Sequence, residues 1–414
     1  MQTTVDVASM AERARSAGRS LARADRNALL LAMGRQLKAH QAEILAANAE
    51  DLASATGTVA AALLDRLMLN EKRLDAIITG LHQVAALPDP LGEVLEGRTL
   101  SNGLLLQKVR VPLGVIGVVY ESRPNVTVDV AALCLKAGSA VLLRGSATAL
   151  HSNRALIQAI RVALAEQGLD PDCVQLVDDP DRASVTALLG LRGKLDLIIP
   201  RGGSGLINHV VENSLVPVVE TGIGNCHVYL DDSADPQMAS DIVFNAKVQR
   251  PSVCNAAEKL LIHQAIAPAL LPSICTRLAQ AKVEIRGCER TRALYPTAKP
   301  AATSDWDMEY LDLIIGVRVV DSLEDAIGHI NRHGSQHSEA IVTQNYAHAE
   351  KFLAEVDAAA VYVNASTRFT DGFEFGLGAE VGISTQKLHA RGPMGLRDLT
   401  TTKYLVRGSG QIRQ

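Results

Sequence analysis

A regular alternation of apolar and amphipathic segments, which starts at residue 113, constrains the fold of this chain more than any other feature. Short apolar segments typical of buried strands are separated by segments with helical periodicity. The strands are predicted at 115–120, 140–143, 174–177, 195–199 and 217–220, and the helices end near Gly138 or span 153–166, 182–190 and 205–213. Strands and helices that alternate at this spacing form a parallel sheet with helices on both faces. We therefore predict a doubly wound α/β domain with its ligand crevice at the carboxyl ends of the strands.

Helical and α/β patterns also cover most of the remaining chain. Residues 5–85 are rich in Ala, Leu, Arg and Glu, and their apolar side chains recur at helical spacing, as at Leu30, Met33, Leu37 and Ile44. A second α/β unit is predicted from about residue 226 to 385. We predict a first domain formed by residues 1–92 and 113–225 and a second domain formed by residues 226–395.

Two β pieces have no evident partner in either domain. Residues 93–112 are predicted to form two strands joined at Asn102-Gly103, a dipeptide suited to a type I′ hairpin turn. The tail, residues 396–414, contains a strand pattern at 399–406 that is rich in Thr, Tyr and Val. Because unpaired strand edges attract other strands, pairing across a subunit interface would satisfy these pieces. We therefore assign 93–112 and 396–414 to an oligomerisation hairpin and tail and expect a homo-oligomer.

Composition and charge exclude several classes of protein. The 414 residues, 47% hydrophobic and 21% charged, are typical of a soluble globular protein with two or three domains. A net charge of −4 and 3% aromatic residues give neither the basic surface nor the stacking platforms of a nucleic-acid-binding protein. Apolar runs are far shorter than the ~20 residues that span a bilayer, and the N-terminus lacks an apolar signal core. We expect no nucleic-acid partner, no membrane partner and a cytoplasmic location.

Cysteine and histidine spacing gives no reason to expect a metal. Six cysteines occur without any C-x-x-C pair, a pattern that favours reduced thiols over a disulfide framework or a zinc site. His329, His333 and His337 would align on one face of a continuous helix. Gly334 is expected to end that helix before His337, which separates the three side chains.

Three local motifs carry potential chemistry, and each has a structural alternative. Residues 201–205, Arg-Gly-Gly-Ser-Gly, follow a strand and open a helix as a phosphate-binding turn does, but a simple tight turn has the same pattern. Asn125 is either a helix N-cap or a side-chain donor to an oxyanion. Cys254 lies in a polar loop near Lys247 and Arg250, cations that lower the pKa of a thiol they approach, whereas most cysteines are buried and inert.

Long stretches in a fixed order then resemble one enzyme family over nearly the whole chain. They are YESRPNVTVD (120–129), LLRGSA (142–147), PRGGSGL (200–206), VVETGIGNCHVY (218–229), NAKVQRPSVCNAAEKLL (245–261), AIGHINRHGSQHSEAI (326–341), NASTRF (364–369), FGLGAEVGISTQ (375–386) and HARGPMGL (389–396). The chain resembles the aldehyde dehydrogenase superfamily and, within it, the γ-glutamyl phosphate reductases. This resemblance implies an aldehyde dehydrogenase-like fold, in which the first domain binds NADP, the second carries a nucleophilic cysteine, and a small β hairpin mediates oligomerisation.

The resemblance also assigns roles to individual residues. It implies Cys254 as the nucleophile, Asn125 as an oxyanion donor and Glu220 at the position of a hydrolytic base. The cofactor-binding residues that it implies are Arg144, Ser146, Gly202, Gly203, Ser204 and Glu309. A glutamyl carboxylate and a phosphate call for cationic or N–H-rich partners. Our candidates for the substrate are Arg123, Ser366 and Arg368, although either arginine has an equally weighted structural interpretation.

The reaction implied by the resemblance is the NADPH-dependent reduction of L-glutamyl 5-phosphate to L-glutamate 5-semialdehyde and phosphate, through a Cys254 thioester, in proline biosynthesis. Arg144, with no acidic residue in 144–147, favours NADPH over NADH. Such a reductase has no hydrolytic step, so Glu220 is expected to accept hydrogen bonds or shuttle a proton rather than activate water. A transient contact with the upstream glutamate kinase is also expected.

Two alternatives remain at this point. A non-phosphorylating semialdehyde dehydrogenase would hydrolyse the thioester, and Glu220 keeps that alternative open. A non-catalytic binding protein on the same fold is the other, and the joint presence of Cys254, Asn125 and the glycine turn argues against it.

Overall fold

The computed structural model describes residues 5–59 and 61–413, so residues 1–4, 60 and 414 of the predicted domains lie outside the described residues. The described residues divide into two compact units. The first contains the residues up to Thr221 together with Gly376–Gly382 and 394–413, and the second contains Gly222–Phe375 and Ile383–Pro393. The predicted hairpin and tail are therefore part of the first unit.

Helices and strands alternate along most of the described chain. The described residues form fourteen α-helices: α1 Val7–Gly18, α2 Arg26–Ala39, α3 Gln41–Ala55, α4 Ala61–Leu67, α5 Glu71–Ala86, α6 Pro124–Lys136, α7 Leu150–Glu166, α8 Arg182–Leu189, α9 Ser204–Asn213, α10 Pro236–Val248, α11 Ala267–Gln280, α12 Glu289–Leu294, α13 Leu323–His333 and α14 Tyr346–Glu355. They also form sixteen strands: β1 Val94–Thr99, β2 Leu105–Pro112, β3 Val115–Tyr120, β4 Ala140–Gly145, β5 Val174–Leu176, β6 Leu197–Arg201, β7 Cys226–Leu230, β8 Ala257–His263, β9 Glu284–Gly287, β10 Lys299–Pro300, β11 Ile314–Val320, β12 Ser338–Val342, β13 Ala360–Val363, β14 Gly382–Ser384, β15 Gly392–Met394 and β16 Thr400–Arg407.

The N-terminal region is helical, as predicted, and three of its helices begin at side-chain caps. Asp6, Asp25 and Asn70 accept hydrogen bonds from backbone amides in the first turns of α1, α2 and α5. The four apolar residues predicted at helical spacing are all fully buried, namely Leu30, Met33, Leu37 and Ile44. The apolar faces of these helices therefore belong to the core of the first unit.

The hairpin and the tail pair with each other within the chain. β2 lies between β1 and β16 in an antiparallel three-stranded sheet. We predicted that these pieces pair across a subunit interface. For the edges of β2 and β16 this was wrong, because these two strands pair with each other within one chain.

The hairpin turn also differs from the prediction. The Leu100 amide donates to the Leu104 carbonyl at 2.8 Å, which closes a three-residue loop, and Gly103 has φ +85° whereas Asn102 is not among the residues with positive φ. A type I′ turn needs positive φ at both central residues.

The predicted parallel sheet of the first unit is present, in the order β5-β4-β3-β6. Every residue of β3 and β4 is buried, as in strands covered on both faces. β4 and β5 lie on one side of β3 and β6 lies on the other, so the chain leaves β3 and β6 in opposite directions. This switch point creates a crevice at the carboxyl ends of β3 and β6.

The predicted strand at 217–220 was wrong. This segment makes only a single parallel bridge, between Val218 and Ile198 of β6, with hydrogen bonds from the Ile198 amide to the Pro217 carbonyl (2.8 Å) and from the Val219 amide to the Ile198 carbonyl (3.0 Å). Pro217 has no amide proton to extend the ladder. The segment therefore runs beside the edge of the sheet for one residue only.

The second unit contains a seven-stranded sheet in the order β10-β9-β11-β8-β7-β12-β13, in which every neighbouring pair is parallel. β7 lies between β8 and β12, with Cys226 opposite Ala257 and His227 opposite Glu339. Because the strands are parallel, the chain segments that lead into β7, β8 and β12 meet at the amino edge of this sheet. None of the described helices is both long and apolar enough to cross a membrane.

Candidate active site

In the first unit, the glycine turn after β6 lies at the switch point of the parallel sheet. The Gly203 amide donates to the Glu121 carboxylate at 2.8 Å, which ties this turn to the loop after β3. A Cβ on Gly202 would lie 2.6 Å from the same carboxylate, so a larger residue there would have to displace the Glu121 side chain. Gly203 caps α9, and Ser204 is its first residue. The start of a helix beside a glycine turn is suited to a phosphate group.

The two candidates after β4 have internal partners in the first unit. The Arg144 guanidinium donates to the carbonyls of Pro180 and Asp181, both at 2.9 Å, and so braces the loop between β5 and α8. Burial lowers the pKa of Arg144, against the charge of Asp179, which raises it. The Ser146 hydroxyl accepts a hydrogen bond from the Ser122 amide at 3.1 Å. Ser146 therefore connects the loops after β3 and β4, while the roles of Arg144 and Ser146 in cofactor binding stay predictions.

Asn125 is not an N-cap. α6 begins at Pro124 with Arg123 as its N-cap residue, and Asn125 is the second residue of the helix. Its side-chain amide donates to the Asp129 carboxylate at 2.9 Å. Burial raises the pKa of Asp129 to about 6, although the hydrogen bond from Asn125 and the charge of Arg201 both lower it. The Asn125 side chain is thus held by Asp129 at the carboxyl end of β3.

In the second unit, Cys254 lies in the loop that leads into β8, and its thiol side chain is half-buried. Its backbone is closely packed, because a Cβ on Gly224 would lie 1.5 Å from the Cys254 carbonyl oxygen. The buried Cys226 thiol donates to the same carbonyl at 3.1 Å. The position of Cys254 is therefore fixed from the segment that leads into β7.

The residue after Cys254 attaches this loop to a second turn. The Asn255 side-chain amide donates to the Thr370 carbonyl at 2.8 Å, and the Thr367 hydroxyl donates to the Asn255 carbonyl at 2.7 Å. The turn that these bonds hold contains two of the predicted substrate residues, Ser366 and Arg368. The Ser366 hydroxyl accepts from the Arg368 amide at 3.3 Å and so caps the turn.

Arg368 brings a guanidinium into the surroundings of Cys254. Its Nε donates to the Gln249 side-chain oxygen at 2.7 Å, which orients the group. Burial lowers the pKa of Arg368 and the Arg250 guanidinium lowers it further, whereas the negative charges of Cys254 and Asp371 raise it. The guanidinium of Arg368 therefore has both Arg250 and Cys254 among its electrostatic neighbours.

Glu309 and Glu220 lie in different units. The Glu309 carboxylate in the second unit accepts a hydrogen bond from the Gly224 amide at 2.7 Å. Glu220 is half-buried in the first unit, next to Thr221, whose hydroxyl donates to the Pro200 carbonyl at 2.8 Å. The second unit thus brings Cys254, Arg368, Ser366 and Glu309 into one framework, and the first unit brings together the glycine turn, Ser146 and the loop that precedes Asn125.

Comparison with known proteins agrees with this geometry. Residues 2–300 match the aldehyde dehydrogenase family. The chain is 58% identical to the γ-glutamyl phosphate reductase of Moorella thermoacetica, over 100% of both chains, and 55% identical to that of Carboxydothermus hydrogenoformans, over 99% of both. The crystal structure of the γ-glutamyl phosphate reductase from Thermotoga maritima is 49% identical and superposes with a TM-score of 0.95, covering 98% of this chain and 99% of that one.

The chain belongs to the aldehyde dehydrogenase family, among the γ-glutamyl phosphate reductases. The predicted fold class is confirmed with it. Membership makes the chain an oxidoreductase that acts on a small molecule, and the family implies a nicotinamide cofactor.

The histidine-rich segment, residues 329–337, contributes buried rings to the packing of the second unit. α13 ends at His333 and Gly334 caps it, as predicted, so His337 lies beyond the helix. His329 is buried with its ring 5.5 Å from the rings of Trp306 and His227, and burial lowers its pKa to about 2. Burial also lowers the pKa of His337 to about 4. The rings of His329 and His337 are therefore neutral near pH 7.

Among the described residues, a different group has ligand atoms close enough together to bind a metal ion. Its members are Asp231, Asp232 and His348, whose ligand atoms lie within 4.8 Å of one another. The Asp231 carboxylate already accepts hydrogen bonds from the Thr343 hydroxyl at 2.6 Å and from the Ser233 hydroxyl at 3.2 Å. These bonds connect the loops after β7 and β12 and account for the cluster.

The sequence analysis did not identify the residues that fix the loops of the candidate site by hydrogen bonds and close packing. Glu121, Gly224, Asn225 and Cys226 all lie inside the stretches that carry the family resemblance, yet none has a recognisable catalytic pattern. Their partners are distant in sequence, 82 residues away for Glu121 and 28 for Cys226. The only available signal was that Cys226 lies at the start of the predicted second α/β unit.

Proposed function

We propose that the chain reduces L-glutamyl 5-phosphate to L-glutamate 5-semialdehyde and phosphate with NADPH, through a thioester on Cys254, as a step of proline biosynthesis in the cytoplasm. Membership among the γ-glutamyl phosphate reductases supports the overall reaction. The observation that carries the mechanism is the position of Cys254, half-buried in a loop that is tied through Asn255 to the turn that carries Arg368.

The first step is attack by the Cys254 thiolate on the acyl carbon of the substrate. A thiolate is the reactive form, and nearby positive charge favours it over the thiol. The C–O bond to the phosphate breaks, the phosphate leaves with the electron pair, and a glutamyl thioester remains on Cys254. A half-buried thiol meets these needs, because it is accessible to a small substrate and is only partly hydrated.

The phosphate of the substrate is proposed to bind at Arg368 and Arg250. Burial and the neighbouring Arg250 charge both lower the pKa of Arg368, so an anion that binds there would stabilise its charged form. Arg368 is oriented by Gln249 and can present its remaining N–H groups to phosphate oxygens. Ser366, which caps the same turn, fixes the backbone of Arg368, and Arg123 remains a candidate for the glutamyl carboxylate.

The glycine turn of the first unit fits the pyrophosphate of a dinucleotide. A Cβ would fill the space at Gly202, and the turn opens α9 with Gly203 as its cap and Ser204 as its first residue. In the second unit Glu309 is proposed to hold the nicotinamide ribose. When bound, the cofactor supplies the hydride that reduces the thioester carbonyl. Residues 144–148 contain no acidic side chain to repel a 2′-phosphate, which favours NADPH.

Hydride addition would turn the thioester carbonyl into a hemithioacetal oxyanion. Asn125 is proposed to donate a hydrogen bond to that oxygen, together with the backbone amide of Cys254. The Asn125 side-chain amide is oriented by its hydrogen bond to Asp129. Collapse of the hemithioacetal expels the Cys254 thiolate and releases the semialdehyde.

A hydrolytic enzyme is the second candidate function, because Glu220 lies at the position of a hydrolytic base in the family resemblance. A base that activated water at the thioester would convert the chain into a non-phosphorylating semialdehyde dehydrogenase. Membership among the γ-glutamyl phosphate reductases favours the reductase, and the proposed phosphate site at Arg368 agrees with it, because a hydrolytic enzyme has no phosphate to bind. Glu220 is therefore proposed to accept hydrogen bonds or to relay a proton.

We also propose that the chain forms a homo-oligomer through the sheet of β1, β2 and β16. All six residues of β1 are exposed, and exposed apolar side chains include Val94 and Leu95 on β1 and Tyr404 and Val406 on β16. An open edge with apolar side chains is suited to pairing with a second copy. A transient contact with the glutamate kinase that makes the labile acyl phosphate would shorten its exposure to water.

The nucleophile is tested by Cys254→Ser. A serine hydroxyl has almost no anion at neutral pH, so acyl-phosphate-dependent NADPH oxidation should fall to the background rate. Cofactor binding, followed by quenching of protein fluorescence, and the unfolding temperature should match the wild type. Cys275→Ala, a buried cysteine of α11, is the matched control and should remain active. More than about a tenth of wild-type activity in Cys254→Ser would contradict the assignment.

A further inference from the structure

Gly224 to His227, at the amino end of β7, form what we call the anchor segment. Asn225 is 1% exposed, and every polar atom of its side chain has a partner. Its side-chain amide donates to the carbonyls of Trp306 and His333, both at 2.7 Å. Its side-chain oxygen accepts from the buried Lys259 ammonium at 2.7 Å. A side chain satisfied in this way holds its own backbone in one position.

The backbone of the anchor segment is held as firmly as this side chain. Three of its N–H groups donate to side-chain oxygens. The Gly224 amide donates to Glu309 at 2.7 Å and the Asn225 amide donates to Ser335 at 2.9 Å. The His227 amide donates to Glu339 at 2.7 Å. Of these acceptors, Ser335 lies in the segment that leads into β12 and Glu339 is the second residue of β12. Ser335 and Glu339, which have no evident catalytic role, thus hold the anchor segment in place.

The anchor in turn holds the nucleophile. The Gly224 backbone lies against the Cys254 main chain so closely that a Cβ would meet its carbonyl oxygen at 1.5 Å. From the other side, the Cys226 sulfur lies 3.1 Å from that oxygen and 3.8 Å from His337 Nδ1. Burial raises the pKa of Cys226, so the group is a protonated thiol with one hydrogen to donate, and the Cys254 carbonyl is the nearer acceptor.

We propose that Cys226 is a positioning residue for the reaction, whose thiol holds the Cys254 carbonyl and so sets the direction of the nucleophilic side chain. The carbonyl is confined between Gly224 and the Cys226 sulfur. A rotation of this peptide would change ψ of Cys254 and move its neighbours in the loop. Displacements of about 1 Å at a reacting group can cost on the order of a hundredfold in rate. This inference rests on the proposed role of Cys254.

Three variants test the inference. Cys226→Ala removes the donor, Cys226→Ser keeps a hydroxyl that donates to the same carbonyl, and Cys275→Ala removes a buried sulfur elsewhere in the second unit. We expect kcat to fall about tenfold in Cys226→Ala, with KM for NADPH nearly unchanged, and to recover to within about threefold of wild type in Cys226→Ser. Cys275→Ala should have wild-type kcat. Equal kcat in Cys226→Ala and Cys275→Ala, or a serine variant as slow as the alanine variant, would overturn the inference.

The second readout is the pH dependence of Cys254 alkylation by iodoacetamide, followed by mass spectrometry of its peptide. Loss of the Cys226 hydrogen bond should raise the apparent pKa of Cys254, because the thiolate is no longer directed at its stabilising cations, whereas Cys275→Ala should leave the profile unchanged. An unchanged profile in Cys226→Ala would count against the inference.

An infrared measurement keeps the inference testable if Cys226→Ala fails to fold. The S–H stretching band of Cys226 in the wild type, assigned by its loss in Cys226→Ser, should lie at lower frequency than the band of Cys275, as in a hydrogen-bonded thiol. A band at the frequency of an unbonded thiol would overturn the inference. Failure of the proposed function is distinguishable, because Cys254→Ser would then remain active, whereas failure of the Cys226 role alone leaves Cys254→Ser inactive.

Discussion

The two units place their candidate residues at opposite ends of their parallel sheets. In the first unit the glycine turn, Ser146 and the loop to Asn125 follow β6, β4 and β3, so they lie at carboxyl ends. In the second unit, Cys254 and the anchor segment precede or begin β8 and β7, at the amino edge. The first position follows the general rule for open α/β sheets, and the second does not.

The difference has a physical consequence for how each site is supported. At the carboxyl ends of the first sheet, a glycine turn and the start of α9 provide backbone N–H groups directly. At the amino edge of the second sheet, the loops are held by buried side chains such as Asn225, Lys259 and Cys226. A substitution behind Cys254 should therefore affect chemistry, whereas one in the glycine turn of the first unit should affect cofactor binding.

Gly224→Ala should give the largest effect of the glycine substitutions. The added Cβ would lie 1.5 Å from the Cys254 carbonyl oxygen, which is backbone and cannot rotate away. We expect kcat to fall at least about a hundredfold, because the nucleophile must move. Gly328→Ala in α13 is the control, since a Cβ there meets nothing within 4 Å, and it should keep full activity. A Gly224→Ala variant with wild-type kcat would break the distinction between the two units.

Gly202→Ala should have a smaller effect, and on a different parameter. The atoms that its Cβ would meet, at 2.6 to 2.8 Å, belong to the side chains of Glu121 and Leu206, which can partly move. We expect KM for NADPH to rise about tenfold while kcat stays within a few-fold. Gly80→Ala in α5 of the same unit, with nothing within 4 Å of the new Cβ, is the matched control. A loss confined to kcat would show that this turn serves the chemistry and not the cofactor.

Glu220→Gln should have the smallest effect. The substitution keeps the shape of the side chain and removes its basicity. If Glu220 only accepts hydrogen bonds or relays a proton, acyl-phosphate-dependent NADPH oxidation should stay within about tenfold of wild type, compared with the ~10²–10⁴ expected for loss of a general base. A glutamine variant as inactive as Cys254→Ser would place Glu220 in the chemical step.

The parts of the fold that depend on local pattern could be predicted from the sequence. β3 and its neighbours are continuous apolar runs between turn signals, and α13 ends at Gly334 because glycine is a strong helix terminator. The hairpin turn was predicted one residue too short, since Asn102-Gly103 also fits a three-residue loop. The strand expected at 217–220 failed because periodicity does not reveal whether a neighbouring strand continues to pair.

The parts of the site that depend on long-range packing could not be predicted. Cys254 was predicted as the nucleophile from its loop and from the family resemblance, and that role stays a prediction, but the contact of its carbonyl with Cys226 joins residues 28 positions apart. The pairing of β16 with β2 joins segments that are much further apart, such as Arg407 and Leu105. A single sequence carries no local signal for such contacts.

The central claim, a thioester on Cys254 that is resolved by phosphate, is tested most directly in the reverse direction. The enzyme is supplied with L-glutamate 5-semialdehyde and NADP⁺, and NADPH formation is followed with phosphate present or omitted. We predict sustained NADPH formation with phosphate and, without it, a burst of about one NADPH per Cys254, because the thioester forms once and then persists. Cys254→Ser should give neither. Sustained turnover at the same rate without phosphate would contradict the account and identify a hydrolytic dehydrogenase.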